Sequence, residues 1–384
     1  MTRSTSVALA AIASFALGVA AQRVYDARMA TEDTARATAN ATAPTIDFAN
    51  EPLWAYGFET VRKPGEEAAP QNPPSRRLRP NEDPDEQNRL RTVPGSTAKY
   101  SLVDIRDNSN VIDWFPSEHP SPLPSIIAHG PAGMVDRRWG CGSCHLPSGM
   151  GRPENAPPGG LPVAYIMRQL QDFKNGLRRT ADPRKPNTNT MIALAKGMTD
   201  AEMREAAEYF NRIPYVGRIR VVETELVPKT RIAGNLFLAT AEERTEPIGR
   251  RIIETPEDEV QTETHRNPHV GFVAYAPPGS LERGKDLVTT GGMRIVGDTV
   301  VQGRTTPCLT CHGLDLMGVT DVPPIAGRSA SYIARQMWDI QQGTRNGEAV
   351  QLMKMAIARL TVDDLTAIAA YVASRPTPAA SSSQ

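Results

Sequence analysis

Two short stretches of the sequence carry side chains that could bind a metal-containing cofactor. All four cysteines of the 384-residue chain lie in residues 141–145 and 308–312, which read Cys-Gly-Ser-Cys-His and Cys-Leu-Thr-Cys-His. Two thiols three positions apart can add across the vinyl groups of one haem, and the histidine that follows can be the proximal iron ligand. The pattern therefore predicts two covalently bound haem c groups, each containing iron. The residues predicted to bind them are Cys141, Cys144, His145, Cys308, Cys311 and His312.

Two other uses of paired cysteines compete with this interpretation. A Cys-x-x-Cys pair can be a redox disulfide, as in thioredoxin-like folds, but no strand–helix–strand pattern surrounds either pair. A structural zinc site would need a compact set of ligands, whereas the two pairs lie 167 residues apart. Because the whole pentapeptide occurs twice and no cysteine is left over, we adopt covalent haem as the interpretation.

The similarity between the two halves extends beyond the pentapeptides. Residues 165–176 read Tyr-Ile-Met-Arg-Gln-Leu-Gln-Asp-Phe-Lys-Asn-Gly, and residues 332–343 read Tyr-Ile-Ala-Arg-Gln-Met-Trp-Asp-Ile-Gln-Gln-Gly. Their offset is 167, the same as that between the two cysteine pairs. Further along, residues 199–202 match residues 361–364 at an offset of 162. Two domains of one design, with a five-residue gap in one loop, explain both offsets.

The matched segments read as helices, which would position the cofactor ligands. The apolar side chains of residues 165–173 recur at about 3.6 positions, as expected for a helix with one buried face. Capping boxes at Thr199–Glu202 and Thr361–Asp364 should each open a further helix. Ser331 is predicted to cap the second copy of the first helix, and Ser280 is predicted to cap a helix before the second cysteine pair.

With these elements in place, the sequence resembles the class I cytochrome c family in its tandem two-domain, two-haem form. The resemblance covers residues 121–215 and 279–376, about half of the chain. It implies a mainly α fold in which a few helices surround each haem and leave one haem edge near the surface. It also implies electron transfer rather than chemistry on a bound substrate.

The repeat places two methionines where members of this family hold the second axial ligand of the iron. Met191 and Met353 each lie eight positions before the threonine of a capping box, so both are expected in the loop ahead of the last helix. The resemblance thus implies iron ligation by His145 with Met191 and by His312 with Met353, which raises the potential of the iron. The rival ligands are Met355 in the second domain, and Met150 and Met198 in the first.

Four histidines are not used by the attachment motifs. Two of them, His265 and His269, are spaced as a metal pair on one helix face would be, but Pro268 between them breaks any helix. We therefore read all four as ordinary polar residues. They are His119, His129, His265 and His269.

A proline-containing loop follows each attachment motif at the same offset. Residues 157–160 read Pro-Pro-Gly-Gly, and residues 324–327 read Pro-Ile-Ala-Gly. In the family, a proline of this loop offers its carbonyl to the ring N–H of the proximal histidine, which orients the imidazole and raises its basicity. By position, the resemblance implies Pro157 and Pro324 for this role. The alternative is that proline and glycine only form a turn here.

The segment between the two domains departs from the family pattern. Residues 216–278 contain strand-like runs at 218–225 and 271–276, so we predict a β-containing insertion packed between or across the domains. A glycine-flanked run at residues 291–301, inside the second domain, reads as a hairpin. These departures bear on how the two haems are arranged and leave the attachment sites unchanged.

Residues 22–120 are read as an irregular N-terminal extension, and residues 377–384 as a disordered tail. Aromatic residues make up only 5% of the chain, yet they cluster at residues 54–58 and 111–115. We expect these clusters to anchor the extension on the core, the alternative being a docking patch for a partner dehydrogenase or oxidase. The predicted fold class is mainly α, with two class I cytochrome c domains joined by a β-containing insertion and preceded by an irregular N-terminal extension.

The first 21 residues have the features of an export signal. Arg3 precedes an alanine-rich apolar run at residues 7–21, and small residues come before the polar junction that follows. This pattern predicts a secretory signal peptide and a periplasmic location, with an uncleaved membrane anchor as the alternative. The chain has 43 basic and 43 acidic residues, and this zero net charge argues against nucleic-acid binding.

The predicted partners are redox proteins, namely a dehydrogenase as donor and an oxidase or other acceptor, with the chain as an electron carrier between them. One alternative is an enzyme, similar to a thiosulfate dehydrogenase or a peroxidase, which would need an open or exchangeable position on one iron. A cysteine cannot fill that position, because all four are already used. The other alternative is a fixed cytochrome subunit of a membrane-bound dehydrogenase complex.

Overall fold

The computed structural model describes residues 50–61, 77–136, 138–242 and 244–377. The predicted signal or anchor at residues 1–21 lies outside them, as does the predicted disordered tail apart from its first residue. Within the described ranges, no helix combines the length and the apolar character that crossing a bilayer requires.

The described part of the N-terminal extension contains short helices and is not irregular throughout. They are α1 (Leu53–Tyr56), α2 (Pro84–Asn88) and α3 (Leu102–Ile105). A capping box of Ser101 with Asp104 opens α3. Four aromatic residues of the two predicted clusters are buried, as the packing interpretation expects, and their burial argues against a docking role for these four side chains. These buried rings are Trp54, Tyr56, Trp114 and Phe115.

The first repeat is helical, as its sequence period predicts. Its helices are α4 (Ser125–Ala128), α5 (Gly142–His145), α6 (Val163–Lys174), α7 (Pro186–Gly197) and α8 (Asp200–Asn211). The predicted capping box of α8 is present: Thr199 accepts from the Glu202 N–H at 3.2 Å, and the Glu202 carboxylate accepts from the Thr199 N–H at 2.8 Å. Helices α6, α7 and α8 pack together over one apolar core. The core includes Ile126, Ile127, Leu161, Ile166, Leu170, Met203, Tyr209 and Phe210.

The insertion contains the predicted strands and several more. They are β1 (Ile219–Glu223), β2 (Leu226–Pro228), β3 (Thr230–Ala233), β4 (Leu236–Ala239), β5 (Thr245–Pro247), β6 (Ile253–Pro256) and β7 (Phe272–Ala276). The two strands predicted from sequence, β1 and β7, pair with each other in parallel, with Ile219 opposite Phe272. Strand β6 completes this sheet by pairing antiparallel to β7, and β2–β5 and β3–β4 form separate antiparallel pairs.

The second repeat follows the first in its order of helices and adds the predicted hairpin. Its elements are α9 (Ser280–Thr290), β8 (Arg294–Val296), β9 (Thr299–Val301), α10 (Leu309–His312), α11 (Ala330–Gln341), α12 (Gln351–Ile357) and α13 (Val362–Ala373). Two predicted caps are wrong. Ser329 caps α11 by accepting from the Tyr332 N–H at 3.1 Å, and Gly279 in a left-handed conformation precedes α9 without a side-chain cap.

A glycine permits a close crossing of helices α9 and α13 in the second repeat. A Cβ atom at position 284 would lie 2.1 Å from the carbonyl oxygen of Ala367, and no methyl group can approach a backbone oxygen so closely. Gly284 therefore lets the first and last helices of this repeat pack with their backbones in contact.

A buried carboxylate joins the insertion to the second repeat. Glu254 of β6 is 1% exposed and lies at the N-terminus of α11. It accepts from the Ser329 hydroxyl at 2.7 Å, from the Ala330 N–H at 3.0 Å and from the Ser331 N–H at 2.9 Å. Charge-assisted bonds to unpaired N–H groups at a helix start are strong, and the helix dipole adds to them. The insertion is therefore built into the second repeat.

Helix α1 of the extension packs against α11, on the same repeat. The Tyr56 hydroxyl donates to Asp339 at 2.7 Å, and the Arg335 guanidinium donates to the carbonyl of Ala55. The residues that form these two contacts are all buried. The extension is therefore held to the second repeat by buried polar contacts as well as by its aromatic rings.

Candidate haem sites

Both attachment motifs form a single helical turn, α5 and α10, which brings each pair of thiols and the histidine to one place. In each turn the histidine N–H donates to the carbonyl of the first cysteine, at 3.0 Å for His145 and 2.9 Å for His312. Burial raises the pKa of Cys141 to about 12 and that of Cys308 to about 11. Redox cysteine pairs depend on a lowered thiol pKa, so these values argue against the redox-disulfide alternative.

The two proximal histidines are held in the same way. Nδ1 of His145 lies 2.7 Å from the carbonyl oxygen of Ala156, and Nδ1 of His312 lies 2.9 Å from that of Pro323. Because a carbonyl can only accept, Nδ1 carries the proton and Nε2 keeps its lone pair for a metal. Burial lowers the pKa of both imidazoles, which keeps them in this neutral form.

The prolines predicted to bind these histidines are wrong by one residue. The acceptors are the carbonyls of Ala156 and Pro323, each of which comes just before the predicted Pro157 or Pro324. A proline restricts the residue before it to an extended conformation, so its ring fixes the direction of the preceding peptide rather than supplying the acceptor. The carbonyls of the two predicted prolines instead accept hydrogen bonds from Arg328.

A cavity of about 1160 Å³, open to solvent, lies beside the first attachment turn. Cys141, Cys144, His145 and Met191 all line it. Helices α6 and α7 and the loop before α5 supply an apolar part of its wall. The apolar lining residues include Trp139, Leu161, Ile166, Leu170, Phe173 and Leu194.

The predicted axial methionines lie in helices rather than in loops. Met191 is in α7 and Met353 is in α12. For α7 the reason is local, since Pro186 favours a helix start and no breaker follows before Gly197. Each half of the chain therefore has a methionine on a helix at this repeated position.

The rival methionines differ from Met191 and Met353 in their exposure or in the cavity that they line. Met355 is 69% exposed, whereas Met353 is partly buried on the same helix. Met150 lines a different cavity from the cysteines. Met198 lines the same cavity as Met191, but it is 3% exposed and belongs to the apolar core. Met191 and Met353 accordingly remain the predicted ligands.

None of the other four histidines lines this cavity beside α5, which we call the first cavity. His119 is bonded to Asp113 at 3.1 Å and to the Tyr209 hydroxyl at 3.0 Å. His269 stacks on the ring of Phe115 and pairs with Glu118. These contacts join the N-terminal extension to the first repeat and to the insertion.

The first cavity also contains charged side chains, which the sequence analysis did not single out. Arg178 and Lys185 come from the first repeat, and Arg335 and Asp339 come from α11 of the second. Lys185 is 1% exposed, its ammonium lies 3.3 Å from the carbonyl of Tyr56, and burial lowers its pKa. Both repeats therefore supply walls of the first cavity.

The two repeats meet through an approximate two-fold relationship. The Arg179 N–H donates to the Thr344 carbonyl at 2.7 Å, and the Asn346 N–H donates to the Leu177 carbonyl at 2.7 Å. The two donors, Arg179 and Asn346, are 167 positions apart, and so are the two acceptors, Leu177 and Thr344. Each bond is therefore the counterpart of the other when the two repeats are exchanged. At the centre lie two buried arginines related by the same offset, Arg178 and Arg345. Their recurrence in the sequence was the signal that could have identified this interface.

These features fit a covalently attached haem. Each site offers two neighbouring thiols and a neutral imidazole with a free Nε2, and the first site adds a thioether in a largely apolar cavity. In the part of the chain that the structure describes, no cluster of three or more histidine, cysteine or carboxylate side chains is arranged to hold a metal ion directly.

Comparison with known proteins gives relatives that are cytochromes or electron acceptors. The chain is 25% identical over 239 residues to the thiosulfate dehydrogenase electron acceptor of Thiomonas intermedia, covering 62% of this chain and 78% of the relative. It is 26% identical over 244 residues to cytochrome c4 of Stutzerimonas stutzeri, covering 60% and 82%. It is 33% identical over 69 residues to cytochrome c-554(548) of Halomonas halodenitrificans, covering 18% and 83%.

Among solved structures, the thiosulfate dehydrogenase of Marichromatium purpuratum gives a TM-score of 0.41 at 22% identity. The match covers 64% of this chain and 38% of that one. No protein-family model matches the chain. With the attachment turns and the sequence relatives taken together, the chain belongs to the class I cytochromes c, in their di-haem group.

Proposed function

We propose that this chain is an exported di-haem cytochrome c that carries electrons between a periplasmic or membrane dehydrogenase and a terminal acceptor. The observation that supports the proposal is that Cys141, Cys144, His145 and Met191 all line the first cavity. The second repeat supports it by reproducing the attachment turn and the bond from imidazole to carbonyl. The domains are residues 121–215 and 279–376, joined by the insertion at residues 216–278.

The residues of each site have distinct tasks in this proposal. The cysteines hold the cofactor covalently, and Ala156 and Pro323 fix the tautomer and orientation of the proximal imidazoles. When bound, each haem supplies a one-electron iron couple. Met191 and Met353 are the proposed second ligands, and a thioether favours the reduced iron.

The charged groups of the first cavity suit the carboxylates that a haem carries. Arg178, Lys185 and Arg335 are buried and line the cavity together with two buried acidic side chains, Glu154 and Asp339. Each of these cations already donates to protein oxygens, and a nearby anion would stabilise its buried charge further. We therefore propose that these cations bind the carboxylates of the first haem.

Two relatives suggest which donor to test first. Both carry the name thiosulfate dehydrogenase electron acceptor, one from Thiomonas intermedia and one from Stutzerimonas stutzeri. We propose a dehydrogenase of this kind as a donor, with the carrier located in the periplasm. An oxidase or another redox protein would then accept the electrons.

Mass spectrometry of the purified mature protein tests the cofactor assignment. The wild-type protein should carry two haems, and Cys141→Ser with Cys144→Ser, or Cys308→Ser with Cys311→Ser, should each leave one. Absence of any added haem mass in the wild-type protein would contradict the proposal.

Kinetic measurements separate a carrier from an enzyme. A thiosulfate dehydrogenase supplied with thiosulfate should reduce the protein, whereas thiosulfate alone should not. Rapid cyanide binding to one oxidised haem, or turnover of thiosulfate without the dehydrogenase, would indicate the enzyme alternative instead.

A further inference from the structure

One buried arginine connects the loops that hold the two proximal histidines. Arg328 precedes the cap of α11 and is 3% exposed. Its hydrogen bonds go to three backbone carbonyls. Nε donates to Pro324 at 2.8 Å, Nη2 donates to Gly159 at 3.0 Å, and Nη1 donates to Pro157. The guanidinium thus binds the first repeat and the second repeat at once.

The bound carbonyls occupy equivalent positions in the two loops. In the first loop, Ala156 accepts from His145, and the next carbonyl, that of Pro157, accepts from Arg328. In the second loop, Pro323 accepts from His312, and the next carbonyl, that of Pro324, accepts from Arg328. In each loop, therefore, the carbonyl that accepts from the histidine and the carbonyl that accepts from Arg328 belong to neighbouring residues.

The repeat does not supply a second copy of this side chain. The position equivalent to Arg328 at the offset of 167 is Leu161, which belongs to the apolar core of the first repeat. Burying a guanidinium is strongly unfavourable unless its donors are satisfied. Here three carbonyls accept from it, and the ring of Tyr215 lies 4.2 Å from its central carbon. A single arginine, without a counterpart in the first repeat, therefore contacts both loops.

We propose that Arg328 is a positioning residue for both haem sites, because it fixes the two carbonyl loops that orient the proximal imidazoles. The inference rests on the proposed function, since it concerns haems held by His145 and His312. Loss of the bridge should loosen both loops. Loss of the positive charge should also favour the ferric state at both irons, because the oxidised iron carries the larger positive charge.

The test uses the full-length holoprotein with Arg328→Gln and Arg328→Lys. Lysine keeps the charge but cannot donate to three carbonyls in a fork. Tyr215→Phe is the matched control, because it removes a hydroxyl bond of 3.0 Å to Gly327 across the same interface and leaves the ring under the guanidinium. Haem content is measured by mass, the two midpoint potentials by optical redox titration, and the axial ligand field by electron paramagnetic resonance.

We expect the midpoint potential of each haem to fall by ~59 mV in Arg328→Gln. This shift corresponds to an about tenfold decrease in the equilibrium constant for one-electron reduction. Both resonance signals should change in Arg328→Gln and in Arg328→Lys, and neither should change in Tyr215→Phe. A change at one haem only, no change in either variant, or an equal change in Tyr215→Phe would overturn the inference. If Arg328→Gln does not fold, the resonance signals of Arg328→Lys decide, because lysine removes the three-carbonyl bridge and keeps the charge.

The outcomes also separate this inference from the proposed function. A wild-type protein without haem would refute the proposed function. A wild-type protein with two haems, whose potentials and resonance signals do not respond to Arg328, would refute the inference alone.

Discussion

Arg178 and Arg345 donate to the same two acceptors from opposite sides of the interface between the repeats. Arg178 lies 2.9 Å from the amide oxygen of Gln169 and 2.7 Å from that of Gln336. Arg345 lies 2.9 Å from the amide oxygen of Gln169 and 3.1 Å from that of Gln336. Two buried cations thus share two neutral acceptors, and each repeat contributes one residue of each kind.

This arrangement predicts strong coupling between the two arginines. Replacing either Arg178 or Arg345 by Met should lower the free energy of unfolding by about 1–3 kcal/mol, because hydrogen bonds from a charged donor are lost. The double variant should lose more than the sum, by about 0.5–3 kcal/mol, because only then do both glutamine oxygens lose every arginine donor. Urea denaturation of the holoproteins measures these values.

The matched control is Arg179→Met, since this neighbouring side chain is exposed and the interface uses only its backbone N–H. It should change stability by no more than about 0.5 kcal/mol. Strict additivity of the Arg178 and Arg345 substitutions would show that the shared acceptors do not couple them.

Replacement of the predicted axial methionines should affect one haem each. Met191→Ala should lower the midpoint potential of the first haem, and Met353→Ala that of the second, because the thioether stabilises ferrous iron. Each variant should also bind cyanide rapidly at the affected iron. Optical redox titration and ligand-binding spectra measure both effects.

Met355→Ala is the control for the second site, because this side chain is 69% exposed on the same helix. It should leave both potentials unchanged. A fall in potential with Met355→Ala and none with Met353→Ala would exchange the two assignments.

Removal of the carboxylate at position 254 should destabilise the second repeat. Glu254→Gln keeps the shape but weakens three hydrogen bonds at the start of α11, two of them to N–H groups. We expect a loss of about 1–3 kcal/mol in the free energy of unfolding. Glu257→Gln is the control, since its side chain is 48% exposed and pairs loosely with Arg220 at 3.6 Å. An equal loss in both variants would mean that the capping bonds contribute little.

Stability should depend on pH through His119. Burial lowers the pKa of this imidazole, but the Asp113 carboxylate, the Pro120 carbonyl and Glu118 together raise it by more, so that the net pKa lies above the ordinary value of 6.5. The Tyr209 hydroxyl donates to the Pro147 carbonyl, which leaves its oxygen to accept from Nδ1 of a charged imidazole. Glu118 adds a further negative charge nearby.

Because the folded pKa is raised, the stabilisation by His119 should be complete below pH 6.5 and should be lost as pH rises through the folded pKa. His119→Gln should therefore lower the melting temperature more at acidic than at mildly alkaline pH. Asp113→Asn should remove most of this pH dependence, because it removes the carboxylate that raises the pKa. A melting-temperature difference between wild type and His119→Gln that is constant with pH would contradict the assignment.

Local features of this protein could be predicted from the sequence. The attachment turns, the capping boxes at Thr199 and Thr361, the individual strands β1 and β7 and the hairpin β8–β9 all depend on residues that are close in the chain, or on the internal repeat. The parallel pairing of β1 with β7 was not predicted, because it joins distant residues. The caps at Ser280 and Ser331 failed because several nearby residues could start each helix, and the choice depended on tertiary contacts such as that of Glu254 with α11.

Long-range contacts could not be predicted in this way. The bridge from Arg328 to Pro157 joins residues 171 positions apart, and the bond from Tyr56 to Asp339 joins residues 283 positions apart. No periodicity marks either pair. The error of one residue at Pro157 and Pro324 has a similar cause, since the sequence locates the loop but not which peptide faces the imidazole.

The contact of α1 with α11 makes the two halves of this protein unequal. In the second repeat, Tyr56 contacts Asp339, and the carbonyl of Ala55 accepts from Arg335. The residues equivalent to Asp339 and Arg335 in the first repeat, Asp172 and Arg168, are only partly buried. Arg168 there forms an exposed ion pair with Asp321. In a perfectly symmetric pair, a single electron would be shared evenly between two identical centres. Because only Asp339 and Arg335 have these contacts with Tyr56 and Ala55, the surroundings of the two centres differ, and we expect the two haems to have unequal midpoint potentials.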